Sequence, residues 1–302
     1  CRARERVGYA DGRGKRHRVP VRLTRATTCG ILHEDARRRL ELSPFAAVWR
    51  QGRSAWPVCH VIGENFPFRL GQIARREPAM QSYLQSGRFV DSDHPVVVEF
   101  AEKSRGNSAK PRDQAVALYY AVRDGVRYNP YVFSRDPQTL KASHALQQGE
   151  SYCVPKAILL AACARHCRIP ARIGLADVRN HLATPRLLEA LRSEVFAMHG
   201  YTELYLEGRW VKATPAFNRA LCRAFDVAPL EFDGVADSVF HPFNRQGERY
   251  MEYLADHGQF ADLPEELFFS HLQQHYPHLF SGRPLALGGD FQAEAGQDEG
   301  RR

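Results

Sequence analysis

The stretch from Gly149 to Arg172 constrains the fold more than any other part of the chain. It begins Gly149-Glu-Ser-Tyr-Cys153, continues as an apolar run, and closes with Ile169-Pro-Ala-Arg172. Small polar residues before the run indicate a turn, Pro155 fits the first turn of a helix, and Ile169-Pro170 ends the helix and opens a strand. The pattern predicts a helix over about 153–167, with Cys153 at or next to its N-terminus.

The place of Cys153 matters chemically. Free backbone N–H groups and the positive end of a helix dipole favour a thiolate, which is the nucleophilic form of cysteine. We therefore predict that Cys153 is a nucleophile. The alternative is a small buried residue of the core, since free cysteine is among the most buried residue types.

A nucleophilic cysteine needs a base, and a histidine on the predicted hairpin downstream of Cys153 is the candidate. The segment from Phe196 to Pro215 predicts two strands joined by a tight turn at Glu207-Gly208, with His199 at the start of the first strand. A cysteine at a helix end facing a histidine on a neighbouring strand is the arrangement used for thiol acyl transfer. His181 competes for the role of base, but it precedes a predicted helix that Thr184 caps.

These motifs together resemble the transglutaminase-like superfamily, a branch of the papain-like cysteine hydrolase fold, in its bacterial stand-alone form. The resemblance covers roughly residues 110–220 and rests on the turn and helix at Cys153, on His199 followed by Tyr201 and Glu203, and on Trp210 with Pro215 beyond it. It implies an α+β fold in which the nucleophile helix packs against an antiparallel sheet. Trp210 and Tyr201 are expected to pack the hairpin against that helix.

The third catalytic residue of the family does not match. The family usually has Asp four residues after the hairpin Trp, and here that position is Thr214. Thr214 offers a hydrogen bond to the imidazole without adding charge. Asn218 is an alternative by analogy with the amide of papain-like enzymes, and Asp177 is another because it supplies a carboxylate from the segment Asp177–His181, which we predict to be a loop.

The oxyanion hole is expected to use the backbone N–H of Cys153 and one side-chain donor. Gln147 lies six residues before Cys153, the spacing of the oxyanion-hole glutamine in papain-like proteases, and Gln148 is the neighbouring alternative. Two glutamines that simply face solvent are the competing interpretation.

The resemblance implies cysteine-dependent hydrolysis or acyl transfer on a peptide or protein amide through a thioester, with no cofactor. The calcium-dependent members have acidic loops that this sequence lacks. Cys163, His166 and Cys167 share one helix, but no second Cys/His pair lies at a suitable spacing, so no metal is expected. The alternative function is a non-catalytic binding module, which Thr214 in place of the acid favours.

Charge divides the chain unevenly. Residues 1–80 carry 17 Lys and Arg against 7 Asp and Glu, whereas residues 81–302 carry 25 against 27. Because the excess of positive charge is confined to one end, the high isoelectric point does not indicate a nucleic-acid-binding domain. Residues 1–79 lack convincing periodicity, and we interpret them as translated upstream sequence or, alternatively, a disordered basic arm.

The remaining boundaries follow from composition. We predict a transglutaminase-like domain over 80–281, a turn of helix near Met251–Leu254, and a disordered tail over 282–302 that is rich in Gly, Gln and acidic residues. Seven cysteines without framework spacing indicate reduced thiols in a cytoplasmic protein. No apolar run approaches the roughly 20 residues of a membrane-spanning helix.

Overall fold

The computed structural model describes residues 79–181, 183–240, 251–281 and 288–298. The interpretations placed on residues 1–78, including the basic arm, lie outside the described residues. Helices alternate with strands along the chain. In order, the α-helices are α1 (Pro95–Ser104), α2 (Pro111–Gly125), α3 (Ala142–Gln148), α4 (Cys153–His166), α5 (Pro185–Leu191), α6 (Arg219–Ala224), α7 (Glu265–His275) and α8 (Phe291–Asp298).

The main sheet has four antiparallel strands in the order β5-β4-β3-β6. Two short strands, β1 (Arg127–Tyr128) and β2 (Glu150–Ser151), pair in parallel just before the cysteine helix. The strands of the main sheet are β3 (Ala171–Asn180), β4 (Val195–Leu206), β5 (Arg209–Ala213) and β6 (Met251–Phe260). The predicted α+β fold is confirmed. None of the helices in the described ranges is long and apolar enough to cross a membrane.

Helix α4 is the centre of the core, and nearly all of its residues are buried. It begins at Cys153, as the sequence predicts, and packs directly on β4. A Cβ atom on Gly200 would lie 2.7 Å from the Cα atom of Val154, so only glycine permits this approach. Thr202, two residues further along the strand, donates its hydroxyl to the carbonyl of Ala157 at 2.8 Å.

The buried side chain of Lys156 ties this core together. The ammonium group of Lys156 on α4 donates to the carbonyls of Val122 (3.2 Å), Arg123 (3.0 Å) and Val126, at the end of α2. The carbonyl of Val122 still accepts the N–H of Val126 at 3.4 Å, and Lys156 supplies a side-chain donor to all three carbonyls at this helix end.

The carboxylate of Asp262 anchors the segment that precedes α1. Asp262 accepts the backbone N–H groups of Arg88 (2.6 Å), Val90 (3.1 Å) and Leu263 (3.0 Å), and that of Phe89 lies at 3.2 Å. One side chain thus joins the segment before α1 to the end of β6.

Several local predictions were wrong. The predicted loop Asp177–His181 is the end of β3, which runs to Asn180, and Met251–Leu254 is part of strand β6, not a helical turn. These strands pair with each other. Their irregular registers obscure the alternation of polar and apolar residues that reveals a strand in a sequence.

The predicted disordered tail also contains a helix. Phe291–Asp298 forms α8, and Phe291 is buried against Tyr128, Tyr131 and Phe225. The composition of 282–302 does not reveal this docking, because the stabilising aromatic partners lie far away in the sequence. Residues 282–287 and 299–302 lie outside the described residues.

Candidate active site

Cys153 is the first residue of α4, and its half-buried side chain lines a cavity. Burial raises the pKa of the Cys153 thiol to about 11, while hydrogen bonds from the backbone N–H groups of Gly200, Val154 and Cys153 itself act in the opposite direction. The helix start therefore supplies the expected donors, but desolvation outweighs them. A pKa of about 11 favours the protonated thiol of Cys153 at neutral pH.

His199 lines the same cavity and is 5% exposed. Burial lowers the pKa of the His199 imidazole to about 4. Its ring packs against Phe240, with the ring centroids 5.7 Å apart, and its Nε2 atom finds no hydrogen-bond partner among the residues that the structure describes. The imidazole is therefore neutral at physiological pH, with a buried nitrogen available to accept a proton.

A bulge in the sheet determines where His199 lies. Ala176 pairs with His199 and Val178 pairs with Phe196, so Asp177 faces two residues of β4. One of them, Met198, has φ of 58°, which is unusual for a bulky residue. Its N–H donates to Asp177 Oδ1 at 2.9 Å, so this hydrogen bond secures the backbone just before His199.

The cavity has a volume of about 90 Å³. This is room for several water molecules or a small acyl group. Its walls are mainly apolar and aromatic, and besides Cys153 and His199 they include Tyr128, Phe133, Tyr152, Phe196, Phe217 and Tyr276.

Thr214 is buried at the end of the hairpin. Its hydroxyl makes no hydrogen bond of good geometry to any described residue, although the hydroxyl of Tyr253 lies close to it. Desolvation raises the pKa of Tyr253 to about 12, and Thr214 and the backbone of Phe240 act against this shift.

The other predicted site residues are engaged elsewhere. Asp177 is bound by the N–H of Met198 and by His271, and Asn218 accepts the N–H of Tyr128 at 3.0 Å. His181 lies 3.5 Å from a carboxylate oxygen of Glu252. None of these contacts involves the ring of His199. Gln147 and Gln148 are exposed on α3 and do not line the cavity, because the α3 face that packs inward carries Ala142, Ser143 and Ala145.

The remaining candidates from the cysteine helix have different surroundings. Cys163 is fully buried in the core, and His166 bonds to Glu102 at 2.8 Å. No metal-ligand group forms around Cys163, His166 and Cys167 in the part of the chain that the structure describes. The four cysteines of these ranges, Cys153, Cys163, Cys167 and Cys222, are free thiols.

The hairpin motif has a structural role that differs from the prediction. Trp210 stacks on the guanidinium of Arg172 at 4.2 Å, and Arg172 pairs with Glu203 at 2.7 Å. The Tyr201 ring covers Gly174 of β3. Gly200 and Thr202 face α4, so Tyr201 and Glu203, which alternate with them, point away from the helix. Trp210 and Tyr201 thus stabilise the far face of the sheet and do not pack against α4.

Three tyrosines near Cys153 carried no motif in the sequence. The Tyr152 hydroxyl is buried without a hydrogen-bond partner among the described residues, and desolvation raises its pKa well above the ordinary value. Cys153 also acts electrostatically on Tyr253 and Tyr276. Tyr152 was detectable as the neighbour of Cys153, whereas Tyr253 and Tyr276 reach the site only through the tertiary fold.

Comparison with known proteins agrees with this architecture. Residues 98–215 match the family model of the transglutaminase-like superfamily. This segment contains α4, the hairpin, Cys153, His199 and Thr214. Residues 98–215 are therefore similar to the transglutaminase-like superfamily, as the sequence motifs predict.

Two solved structures show limited similarity to this chain. One is a candidate cysteine protease from Cytophaga hutchinsonii, 14% identical, with a TM-score of 0.38 over 63% of this chain and 56% of that one. The other is a candidate protease from Parabacteroides distasonis, 13% identical, with a TM-score of 0.29 over 45% of this chain and 25% of that one. The chain thus spans about half the length of the first of these structures. No curated protein matches the chain.

Proposed function

We propose that this protein is a cysteine-dependent enzyme that hydrolyses an amide, or transfers its acyl group, through a thioester on Cys153. The observation that carries the proposal is that Cys153 begins α4 in an apolar cavity that His199 also lines, with the N–H of Gly200 directed to the sulfur. Gly200 follows His199 in the chain, so the same stretch of β4 serves both catalytic side chains.

The resting state of the pair defines the mechanism. Since the thiol is protonated and the imidazole neutral, His199 acts as a general base during attack, not as half of a preformed ion pair. The sulfur forms a bond to the carbonyl carbon while its proton passes to His199. The imidazolium then protonates the nitrogen of the leaving amine as the C–N bond breaks, which leaves the thioester.

The thioester is resolved by a second nucleophile. Water or an amine attacks the acyl carbon while His199 takes the proton of this nucleophile, and the imidazolium then returns that proton to the sulfur of Cys153 as the C–S bond breaks. The negative charge on the carbonyl oxygen needs donors in both steps. We assign the backbone N–H of Cys153 and the unpartnered hydroxyl of Tyr152 to this task, in place of the exposed Gln147.

The apolar walls favour a particular substrate class. Phe133, Phe196 and Phe217 offer no charged partner, so the acyl group that enters is apolar or aromatic and belongs to a peptide or protein. Thr214 then contributes a neutral hydrogen bond at most to the His199 ring. Without a carboxylate to stabilise imidazolium, we expect a slow enzyme.

The experiment uses peptide amides with aromatic or aliphatic acyl residues and hydroxylamine as the acceptor. The wild-type chain should release the amine and form a hydroxamate, and mass spectrometry should find the acyl group on Cys153. Cys153→Ser and His199→Gln should each lose at least about 100-fold in rate, whereas Cys167→Ser, another thiol of the same region, should be unaffected.

The second candidate is a non-catalytic binding module, favoured by the neutral resting pair and by Thr214. In that case the same peptides bind in the cavity without acylating Cys153, and Cys153→Ser binds them as tightly as the wild type. Amine release that is independent of Cys153 would refute the enzyme proposal.

A further inference from the structure

A second cluster of titratable side chains lies on β3, β6 and α7, apart from Cys153 and His199. We call it the Asp177 cluster: Asp177, His257, His271 and His275. Asp177 Oδ2 lies 3.0 Å from Nε2 of His271 and 4.0 Å from Nε2 of His275, and Oδ1 lies 3.0 Å from Nε2 of His257. Ligand atoms of Asp177, His271 and His275 all lie within 4.8 Å of one another.

We propose that the Asp177 cluster binds a divalent transition-metal ion of the zinc class, with Asp177, His271 and His275 as ligands. Two imidazoles and one carboxylate are a ligand set that suits zinc. Atoms bound tetrahedrally to one ion at about 2.0–2.1 Å lie roughly 3.3 Å apart, so ligand atoms that lie within 4.8 Å of one another must close by at most about 1.5 Å, which side-chain rotation supplies.

The backbone brings these side chains together in a specific way. His271 and His275 are four residues apart on α7 and therefore share one face of the helix, with their rings 4.5 Å apart. In the pairing of β3 with β6, Leu175 faces Gly258 and Ala176 faces Asp256. His257 is the extra residue of this bulge, and a bulge redirects a side chain.

Hydrogen bonding alone leaves the cluster incomplete. His275 makes no hydrogen bond to any residue in the described ranges, and 4.0 Å from the carboxylate is too long for one. Two tetrahedral ligands of one zinc ion lie roughly 3.3 Å apart, so His275 must approach the carboxylate by less than about 1 Å to share an ion with it. Nε2 of His257 lies 3.0 Å from Oδ1, the other carboxylate oxygen, but is buried without a hydrogen bond of good geometry to any described residue.

The cluster is also reachable. Asp177 is 9% exposed at its side chain, His271 is 18% and His275 is 35%, so ions enter past His275 and water completes the coordination. Oδ1 of Asp177 also holds the N–H of Met198, the residue before His199. A bound ion would thus fasten α7 to the bulge that positions His199.

The test measures metal binding by the untagged 302-residue chain, since a polyhistidine tag binds zinc itself. Zinc binding is measured by calorimetry and by metal analysis after dialysis, and cobalt(II) substitution reports the ligand type through its visible spectrum. We expect one ion per chain, a spectrum without thiolate-to-cobalt charge transfer, and a melting temperature higher by at least about 3 °C with zinc.

Three variants separate the cluster from other zinc ligands. His271→Gln and His275→Gln should each weaken binding by at least about 10-fold. His166→Gln, which alters the neighbourhood of Cys163 and Cys167, should bind like the wild type. Circular dichroism verifies that each variant is folded.

Two outcomes would overturn the proposal. One is a wild-type chain that binds no more zinc than the doubly substituted His271→Gln/His275→Gln chain, which would mean a hydrogen-bonded cluster without metal. The other is binding that survives both histidine changes and is lost in His166→Gln, or a cobalt spectrum with thiolate bands. These readouts do not depend on catalysis at Cys153.

Discussion

The neutral imidazole of His199 makes a quantitative prediction about pH and stability. Burial lowers its pKa from the ordinary value of 6.5 to about 4 in the folded chain. Between pH 6.5 and about pH 4, the imidazole of His199 is protonated in the unfolded chain and neutral in the folded chain. The free energy of unfolding contributed by this site therefore rises with pH through this window and is lost as the pH falls.

The size of the effect follows from the two pKa values. Between about pH 7.5 and about pH 4.5, the linkage relation gives a loss of about 2.5 kcal/mol from His199 alone. Other groups titrate in the same range, so the wild-type curve by itself does not isolate this contribution. Replacing His199 with Gln removes the titration and retains an amide of similar reach.

The assay is urea unfolding, followed by tryptophan fluorescence, of wild type and His199→Gln at several pH values. The cost of the substitution itself is read at about pH 7.5, where His199 is neutral in both states. We expect the variant to gain about 2.5 kcal/mol relative to the wild type as the pH is lowered to about 4.5. His199→Asn should give the same pH-dependent difference.

Two results would refute the reasoning. Parallel curves for wild type and variant would mean that the imidazole of His199 titrates as it does in the unfolded chain. A difference of opposite sign, with the wild type gaining stability relative to the variant at acidic pH, would mean that the folded state stabilises imidazolium. A thiolate–imidazolium pair would then be the resting state, and the general-base mechanism would be wrong.

Three further predictions concern the packing around α4. In Gly200→Ala the new Cβ must move by about 0.7 Å from Val154 to reach an ordinary contact. We therefore expect the free energy of unfolding to fall by about 1–3 kcal/mol in urea unfolding, and iodoacetamide to label Cys153 several-fold more slowly. Lys156→Met removes the side-chain donor of three carbonyls, of which only that of Val122 keeps a backbone N–H, and should cost about 2 kcal/mol or more in urea unfolding, whereas the exposed Lys103→Met should change stability by less than about 0.5 kcal/mol. Asp262→Ala removes the acceptor of several backbone N–H groups and should cost about 2–3 kcal/mol, with proteolysis near residue 88 accelerated.

Each of these three predictions would be contradicted by a specific result. Gly200→Ala that is labelled at the wild-type rate would show that the strand does not act on the sulfur. Lys156→Met with the stability of Lys103→Met would mean that the three carbonyls find water instead. Asp262→Ala that keeps wild-type stability and protease resistance would mean that this carboxylate does not hold the entering segment.

Local sequence signals predicted the helix of the site well, because they act over a few residues. Pro155 in the first turn and Ile169-Pro170 after the last bound α4 nearly as predicted. The turn at Glu207-Gly208 gave the hairpin of β4 and β5 for the same reason. The electrostatic state of Cys153 was not predictable, since desolvation comes from atoms distant in the sequence and opposes the local effect of the helix start.

The same contrast explains the elements that were missed. Residues 177–181 look like a polar loop, yet Asp177 is buried in a strand because His271 and the N–H of Met198 compensate its charge. Phe291 looks like part of an acidic tail, but Tyr128 and Phe225 provide its pocket. Periodicity fails where bulges interrupt the alternation or where a distant partner supplies the stabilisation.

The sequence by itself determined the resemblance to the transglutaminase-like superfamily, the cysteine at the start of a helix and the histidine on the following hairpin, because turn, cap and breaker residues fix backbone conformation locally. Only the tertiary structure decided that the Cys153 thiol and the His199 imidazole rest in their neutral forms, and that Asp177 meets three histidines and not the His199 ring. The protonation states and the hydrogen-bond partners of these residues depend on burial and on atoms from β6 and α7. These elements are distant in the sequence, so local sequence patterns do not predict their contribution.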